Sequence, residues 1–413
     1  MQVTVLAEKA KAASRQLAAL STETKNAALR AMADALEAER DSVLAANVVD
    51  VDAARAAGTS ESLIDRLTLN PARISAMAAG LRDVAALQDP IGEVVRGWQL
   101  ANGVQVSQVR VPMGVIGMIY EARPNVTADA AGICLKTGNA TLLRGSSSAI
   151  NSNRAVVAAL KIGLKSAGVS EDAVNLVEGG HESTHEMMAA RGLIDLLIPR
   201  GGAGLISTVV NGSKVPVIET GTGNNHLFVE ASADFELARR LILNAKVQRP
   251  SVCNALETLL VDASIAADFL PETVDQLIAA GVTIHGDSKS RAIDPRIVPG
   301  VEGIFDDEFL SLDLACKVVS GVEDALLHIQ RHSSGHSETI VTNDLTAQRR
   351  FTADVDAAAV LVNTSSRFVD GGEFGFGAEI GISTQKLHAR GPMALPEMTS
   401  TKYIVIGDGQ VRS

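Results

Sequence analysis

Aromatic residues make up only 3% of this 413-residue chain, with one tryptophan and two tyrosines. The core must therefore be built from Ala, Val, Leu and Ile, a composition that suits packed α/β layers. Cysteines are equally scarce. Cys134, Cys253 and Cys316 are too few and too scattered for a disulfide framework, and they fit a reducing cytoplasm. No long basic run exists and the net charge is −11, which argues against a phosphate-backbone partner such as nucleic acid. The longest apolar stretch, Val111 to Tyr120, is far shorter than the ~20 residues of a membrane span and contains Pro112, Gly114 and Gly117. Met1 to Leu20 interleaves Lys9, Lys11 and Arg15 with alanines, which reads as an amphipathic helix and not a signal peptide. The dinucleotide fingerprint G-x-G-x-x-G is missing too: Gly202-x-Gly204 is followed by Ser207, Gly221-x-Gly223 by His226, and Gly375-x-Gly377 by Ile380.

What is present is alternation. A single core stops growing at about 250–300 residues, so at least two domains are expected. Residues 4–88 read as helices, with Leu29, Met32, Leu36 and Val43 on one face and Asn70-Pro71 as a helix start. Residues 94–111 change to a two-residue period around Asn102-Gly103, a hairpin signal. Such a hairpin needs a surface to cover it, and a neighbouring subunit is the natural one. From Val111 short apolar strands alternate with helices, including strands at Val115–Ile119, Thr141–Arg144, Ile194–Ile198 and Val215–Glu219. This predicts βαβ units and a mostly parallel sheet. The pattern restarts after Asn225, then gives a helix at Arg349–Ala359, a strand at Val360–Asn363, a Gly-rich loop at 370–377 and a last strand at Lys402–Val405.

Ligands in such sheets bind beyond the carboxyl ends of the strands. That selects the segments at 120–125, 144–148, 199–202 and 219–225. Arg144, followed by Gly145-Ser146-Ser147-Ser148, suits an anion such as a 2′-phosphate, or else is a solvated surface arginine. Cys253, in Gln248-Arg249-Pro250-Ser251-Val252-Cys253-Asn254-Ala255, is either a nucleophile, whose thiolate must then be favoured, or a small buried hydrophobe. His181-Glu182-Ser183-Thr184-His185 matches H-E-x-x-H, the basis of an alternative reading as a zinc hydrolase. Against it, Gly179-Gly180 place the motif at a helix start, and Met188 stands where the extended motif has glycine. His328, His332 and His336 are spaced four apart, but Ser333-Ser334-Gly335 interrupts the helix before the third.

Taken together, several stretches resemble the aldehyde dehydrogenase superfamily, and within it a branch that reduces an acyl phosphate. They are Tyr120-Glu121-Ala122-Arg123-Pro124-Asn125-Val126-Thr127, Lys136-Thr137-Gly138-Asn139-Ala140, the Cys253 segment, His332-Ser333-Ser334-Gly335-His336-Ser337-Glu338, and the run from Asp370 to Thr384. The resemblance implies two parallel-sheet α/β domains plus a small β oligomerisation element. It places an NADP-binding domain at 1–93 and 112–225 with 360–388 returning to it, a catalytic domain at 226–359, and an oligomerisation hairpin and tail at 94–111 and 389–413. It also implies NADPH-dependent reduction of L-glutamyl 5-phosphate to L-glutamate 5-semialdehyde in proline biosynthesis, in the cytoplasm. A homo-oligomer is expected, with glutamate 5-kinase as the candidate partner and neither nucleic acid nor membrane. Cys253 becomes the nucleophile, Glu219 the counterpart of a general base, and Asn125 an offset candidate for the oxyanion hole. Arg144, Ser146, Ser147, Gly201, Gly202 and Glu308 fall to the cofactor. Ser147 stands where NAD-preferring relatives carry a glutamate, which favours NADP(H). Arg123, Arg249 and His336 are candidate substrate cations by charge and position, and no metal is implied.

Overall fold

The computed structural model describes residues 2–412 and divides into two compact units. The first holds the residues up to Thr220, Gly375–Gly381 and the stretch from Met393 onward; the second holds Gly221–Phe374 and Ile382–Pro392.

The first unit opens with helices α1 (Gln2–Leu17), α2 (Thr22–Ala38), α3 (Arg40–Ala56), α4 (Glu61–Leu67) and α5 (Pro71–Ala86). Met1 and Ser413, included in the expected N-terminal helix and C-terminal tail, lie outside the described residues. Asn70 caps α5 by accepting a hydrogen bond from the Arg73 N–H, with Pro71 in the first turn. Leu29, Met32 and Leu36 are fully buried on α2, as their helical spacing predicts, whereas Val43, expected on the same face, is buried on the separate helix α3. Two strands follow, β1 (Val94–Gln99) and β2 (Gln105–Pro112). They pair antiparallel around a loop in which Gly103, at φ +88°, takes a conformation that a side chain would strain. Next come β3 (Val115–Tyr120), α6 (Asn125–Lys136), β4 (Ala140–Arg144), α7 (Ile150–Ser166), β5 (Val174–Leu176), α8 (His181–Ala189), β6 (Leu196–Arg200) and α9 (Ala203–Gly212). The four strands form a parallel sheet in the order β5-β4-β3-β6. Every residue of β3 is buried, which explains its unbroken apolar run.

The second unit contains β7 (Asn225–Val229), α10 (Phe235–Val247), β8 (Leu256–Asp262), α11 (Ala266–Ala279), β9 (Thr283–Gly286), α12 (Ser288–Ile293), β10 (Val298–Pro299) and β11 (Asp313–Val319). It continues with α13 (Val322–His332), β12 (Ser337–Val341), α14 (Leu345–Asp354) and β13 (Ala359–Val362). These strands make a seven-stranded parallel sheet, ordered β10-β9-β11-β8-β7-β12-β13. A short antiparallel pair, β14 (Ile382–Ser383) and β15 (Gly391–Pro392), also belongs to this unit. The tail strand β16 (Thr399–Ile406) belongs to the first unit and completes a three-stranded sheet ordered β1-β2-β16, pairing antiparallel with β2 of the hairpin.

Three expectations are corrected. Val215–Glu219 forms only an isolated bridge, Leu197 to Val217, because Pro216 has no N–H to give a ladder. The helix expected over Arg349–Ala359 runs from Leu345 to Asp354, started by Asp344, whose side chain accepts from the Thr346 N–H. The stretch expected to return to the first domain from residue 360 stays with the second until Phe374, because β13 pairs with β12; only Gly375–Gly381 returns before Met393.

Candidate active site

In the first unit the expected residues stand at strand ends. Arg144 closes β4. One of its terminal nitrogens, Nη2, donates to the Gly180 carbonyl at 3.0 Å, while its buried Nε has no hydrogen-bond partner. Burial holds its charge at a disadvantage, with Glu182 opposing. Ser146 bonds Ser148 at 2.9 Å, and Ser147 is exposed. A half-buried guanidinium with an unused N–H beside serine hydroxyls fits the anionic part of a nucleotide. Gly201 and Gly202 follow β6 and are exposed; the Gly202 N–H donates to Glu121 Oε2 at 3.1 Å. Glu219 is half-buried, just before Thr220, whose hydroxyl donates to the Pro199 carbonyl at 2.9 Å.

Arg123, Asn125, Asp129, Arg200 and Glu379 line one small recess of the same unit. Asn125, the candidate oxyanion donor, is exposed at the start of α6, and its Nδ2 already donates to Asp129 Oδ2 at 3.0 Å. Burial pushes Asp129 up to about 6, against the opposing effects of Asn125 and Arg200.

His181 and His185 open α8, where the Gly180 N–H donates to Glu182 Oε1 at 2.7 Å. Glu182 therefore serves a helix start, and its carboxyl is held below the usual range by these backbone bonds. Among the described residues no group of three His, Cys, Asp or Glu side chains is arranged to hold a metal.

In the second unit Cys253 lies in the loop between α10 and β8, half-buried, against Leu361, Val369 and Ile382. Sequence reasoning missed what holds this loop. Asn225 Nδ2 donates to the carbonyls of Cys253 and Ala255, both at 2.7 Å, while its Oδ1 accepts from the Ser337 N–H at 3.1 Å. Gly223 passes so close that an added Cβ would lie 1.6 Å from the Cys253 carbonyl oxygen. The Gly223 N–H donates to Glu308 Oε1 at 2.6 Å. The signal available in the sequence is the run Gly221-Thr222-Gly223-Asn224-Asn225, two glycines and two asparagines leading into β7. Behind the loop, Lys246 and Glu257 form a fully buried ion pair at 2.7 Å, and Glu257 also accepts from the Leu310 N–H at 3.4 Å, two residues beyond Glu308.

Arg249 is exposed. His336 is fully buried, with Nδ1 2.7 Å from Ser337 Oγ. It also lies beyond the end of α13, which breaks the four-residue histidine spacing. His328, on α13, is pushed down to about 2 by burial, with nearby His226 and Lys317 adding to the effect.

The sequence profile of the aldehyde dehydrogenase family matches residues 1–295. A gamma-glutamyl phosphate reductase from Cutibacterium acnes is 61% identical over 403 residues, covering 98% of this chain and 97% of that protein. One from Caldanaerobacter subterraneus subsp. tengcongensis is 54% identical over 413 residues and covers both chains fully, at 100%. The crystal structure of gamma-glutamyl phosphate reductase from Thermotoga maritima superposes with a TM-score of 0.98 at 46% identity, covering 100% of each chain. An acetylating aldehyde dehydrogenase from Geobacillus thermoglucosidasius shares the fold, with a TM-score of 0.71 at 19% identity over 100% of this chain and 98% of that one. None of these relatives supports a zinc hydrolase.

Proposed function

The chain belongs to the aldehyde dehydrogenase family, and within it to the gamma-glutamyl phosphate reductases; from that premise we propose that it reduces L-glutamyl 5-phosphate to L-glutamate 5-semialdehyde and phosphate through Cys253. The observation that carries this reading is the Cys253 loop, held from both sides by Asn225 and Gly223. A thiol on a fixed backbone can be presented to an acyl carbon in one orientation, which is where much of a catalytic advantage arises.

The Cys253 sulfur attacks the acyl carbon, the C–O bond of the mixed anhydride breaks, and phosphate leaves with the electron pair. A thioester remains on Cys253. A nicotinamide cofactor, when bound, supplies the hydride that takes this thioester to the aldehyde level. The resulting thiohemiacetal collapses, restoring the thiol and releasing the semialdehyde. The oxyanion formed at each addition needs a fixed donor, and the Cys253 amide is the candidate within the second unit. Asn125 keeps the donor role that the resemblance implies, and Asp129 orients its amide. Glu219 has no water to activate in this direction, because phosphate departs and no hydrolysis occurs.

Within the nicotinamide cofactors we assign NADPH, because Arg144 offers an unused buried N–H and Ser147 places no carboxylate where a 2′-phosphate would sit. Ser146, Gly201, Gly202 and Glu308 are assigned to the same cofactor. A homo-oligomer using the β1-β2-β16 sheet fits its exposed Trp98, Tyr403, Val405 and Ile406. Among the described residues no helix is long and apolar enough to cross a membrane; the cytoplasm, and glutamate 5-kinase as the supplier of the unstable acyl phosphate, complete the proposal.

The test is NADPH consumption with enzymatically generated glutamyl phosphate, and NADP reduction with semialdehyde plus phosphate. Cys253→Ser is expected to lose essentially all turnover in both directions. A serine variant that keeps the full rate would remove the covalent mechanism.

A further inference from the structure

Arg367 carries a role that neither its sequence context nor the relatives' names assign. It sits in the single helical turn Ser366–Phe368 after β13, and four hydrogen bonds fasten that turn to the Cys253 loop. Ser366 Oγ donates to the Asn254 carbonyl at 2.7 Å. Asn254 Nδ2 donates to the carbonyls of Val369 at 2.9 Å and Arg367 at 3.5 Å. Arg367 Nε donates to Gln248 Oε1 at 2.9 Å, and Gln248 directly precedes Arg249. The half-buried guanidinium is thus aimed by a neutral amide and not by a carboxylate. Among the described residues neither Arg367 nor Arg249 forms an ion pair. Burial and the nearby Arg249 both work against the Arg367 charge, whereas Asp370, a thiolate at Cys253 and Glu373 favour it. Two cations that disfavour one another, held beside a nucleophile without a paired acid, want an anion from outside.

The chemistry says which anion. In an acyl phosphate the phosphoryl group is joined through one anhydride oxygen to the carbon that the sulfur attacks, so its oxygens lie within a few bonds of Sγ. The α-carboxylate of a glutamyl chain sits at the far end of the carbon skeleton. We propose that Arg367, with Arg249, forms the phosphoryl subsite of the acyl-phosphate substrate and holds the phosphate as it departs. This rests on the reaction proposed above. As Sγ–C forms and C–O breaks, negative charge grows on the leaving phosphate, so the contact strengthens from ground state to transition state. In the reverse direction the same pair positions inorganic phosphate to attack the thioester.

The experiment uses semialdehyde oxidation with NADP and inorganic phosphate. Arg367→Gln is expected to raise the KM for phosphate roughly 10- to 100-fold, the scale of a lost charged hydrogen bond, with little change in the KM for semialdehyde. Arg367→Lys is expected to recover part of the loss, and Arg249→Gln to show a smaller rise. Thermal unfolding of each variant checks folding, and the Lys and Arg249 variants carry the test if Arg367→Gln does not fold. A phosphate KM unchanged in Arg367→Gln, or a rise confined to semialdehyde, overturns the proposal. A second readout is independent of turnover: inorganic phosphate should slow alkylation of Cys253 by iodoacetamide in the wild type and fail to do so in Arg367→Gln. If the wild type shows no phosphate-dependent turnover, the proposed reaction fails, and phosphate protection still decides the subsite. Equal protection in both proteins sinks it.

Discussion

Gly202 in the first unit and Gly223 in the second both donate their N–H to a glutamate, Gly202 to Glu121 at 3.1 Å and Gly223 to Glu308 at 2.6 Å. Their surroundings differ sharply. A Cβ added to Gly202 would meet only Glu121 Oε1 at 3.9 Å, an ordinary contact, whereas on Gly223 it would meet the Cys253 carbonyl oxygen at 1.6 Å. The same contrast runs through the two units. The cofactor-side candidates, Ser147, Gly201 and Gly202, stand exposed on loops at strand ends. The Cys253 loop is held by side chains that are themselves buried: Asn225, Asn254, and the Lys246–Glu257 pair behind it. A loop that receives a large ligand can keep adaptable surroundings. A loop that must fix one sulfur is over-determined by backbone contacts that tolerate no added atom.

Paired substitutions test this contrast, and here the largest effect is expected. Gly223→Ala forces backbone apart from backbone, with a cost of about 3 kcal/mol. A displacement of about 1 Å at Cys253 then lowers turnover on the order of 100-fold. Gly202→Ala, at φ −68° and meeting nothing closer than 3.9 Å, is expected to change stability by no more than about 0.5 kcal/mol. Thermal unfolding and steady-state rates of both variants settle the matter. Similar losses in the two would erase the distinction between an open and a locked loop.

The extent to which sequence anticipates these features follows the range of the interactions involved. Local signals survive well: Asn70-Pro71 starts α5, Asn102-Gly103 turns the β1–β2 hairpin, and the apolar run at Val115 is a fully buried strand. The two corrected element assignments are local as well, since Pro216 removes a ladder donor and the Asp344 cap starts α14 earlier than the apolar pattern suggests. The site is harder. Cys253 and Arg144 are legible as residue types in telling positions. Their supports are not, because Asn225 reaches 28 residues to Cys253, and Asn254 reaches 115 residues to Val369. Nor does periodicity reveal that His336 lies in the core and Arg367 at the Cys253 loop.

The next effect is on the open side. Arg144→Gln keeps a donor for the Gly180 carbonyl but removes the charge proposed for the 2′-phosphate. It is expected to raise the KM for NADPH about tenfold while leaving that for NADH nearly unchanged, so that the preference between the two cofactors narrows. Equal losses with both cofactors would instead assign Arg144 to the part of the nucleotide they share.

The smallest effect belongs to Asp129, beneath Asn125. Burial lifts its folded-state pKa to about 6, above the value near 3.9 of an unfolded chain. The folded protein therefore binds this proton more tightly than the unfolded chain does. The resulting stabilisation is fully present below about pH 3.9 and is lost as pH rises through about 6. Asp129→Asn keeps an acceptor for Asn125 Nδ2 and carries no charge at any pH. Between about pH 4 and 6.5 the wild-type Tm is expected to fall relative to that of the variant. Subtracting one curve from the other cancels the remaining titrating groups. Parallel curves would mean that the Asp129 carboxyl ionises as readily when folded as when unfolded, and that the recess beneath Asn125 is as open to solvent as the loops beside it.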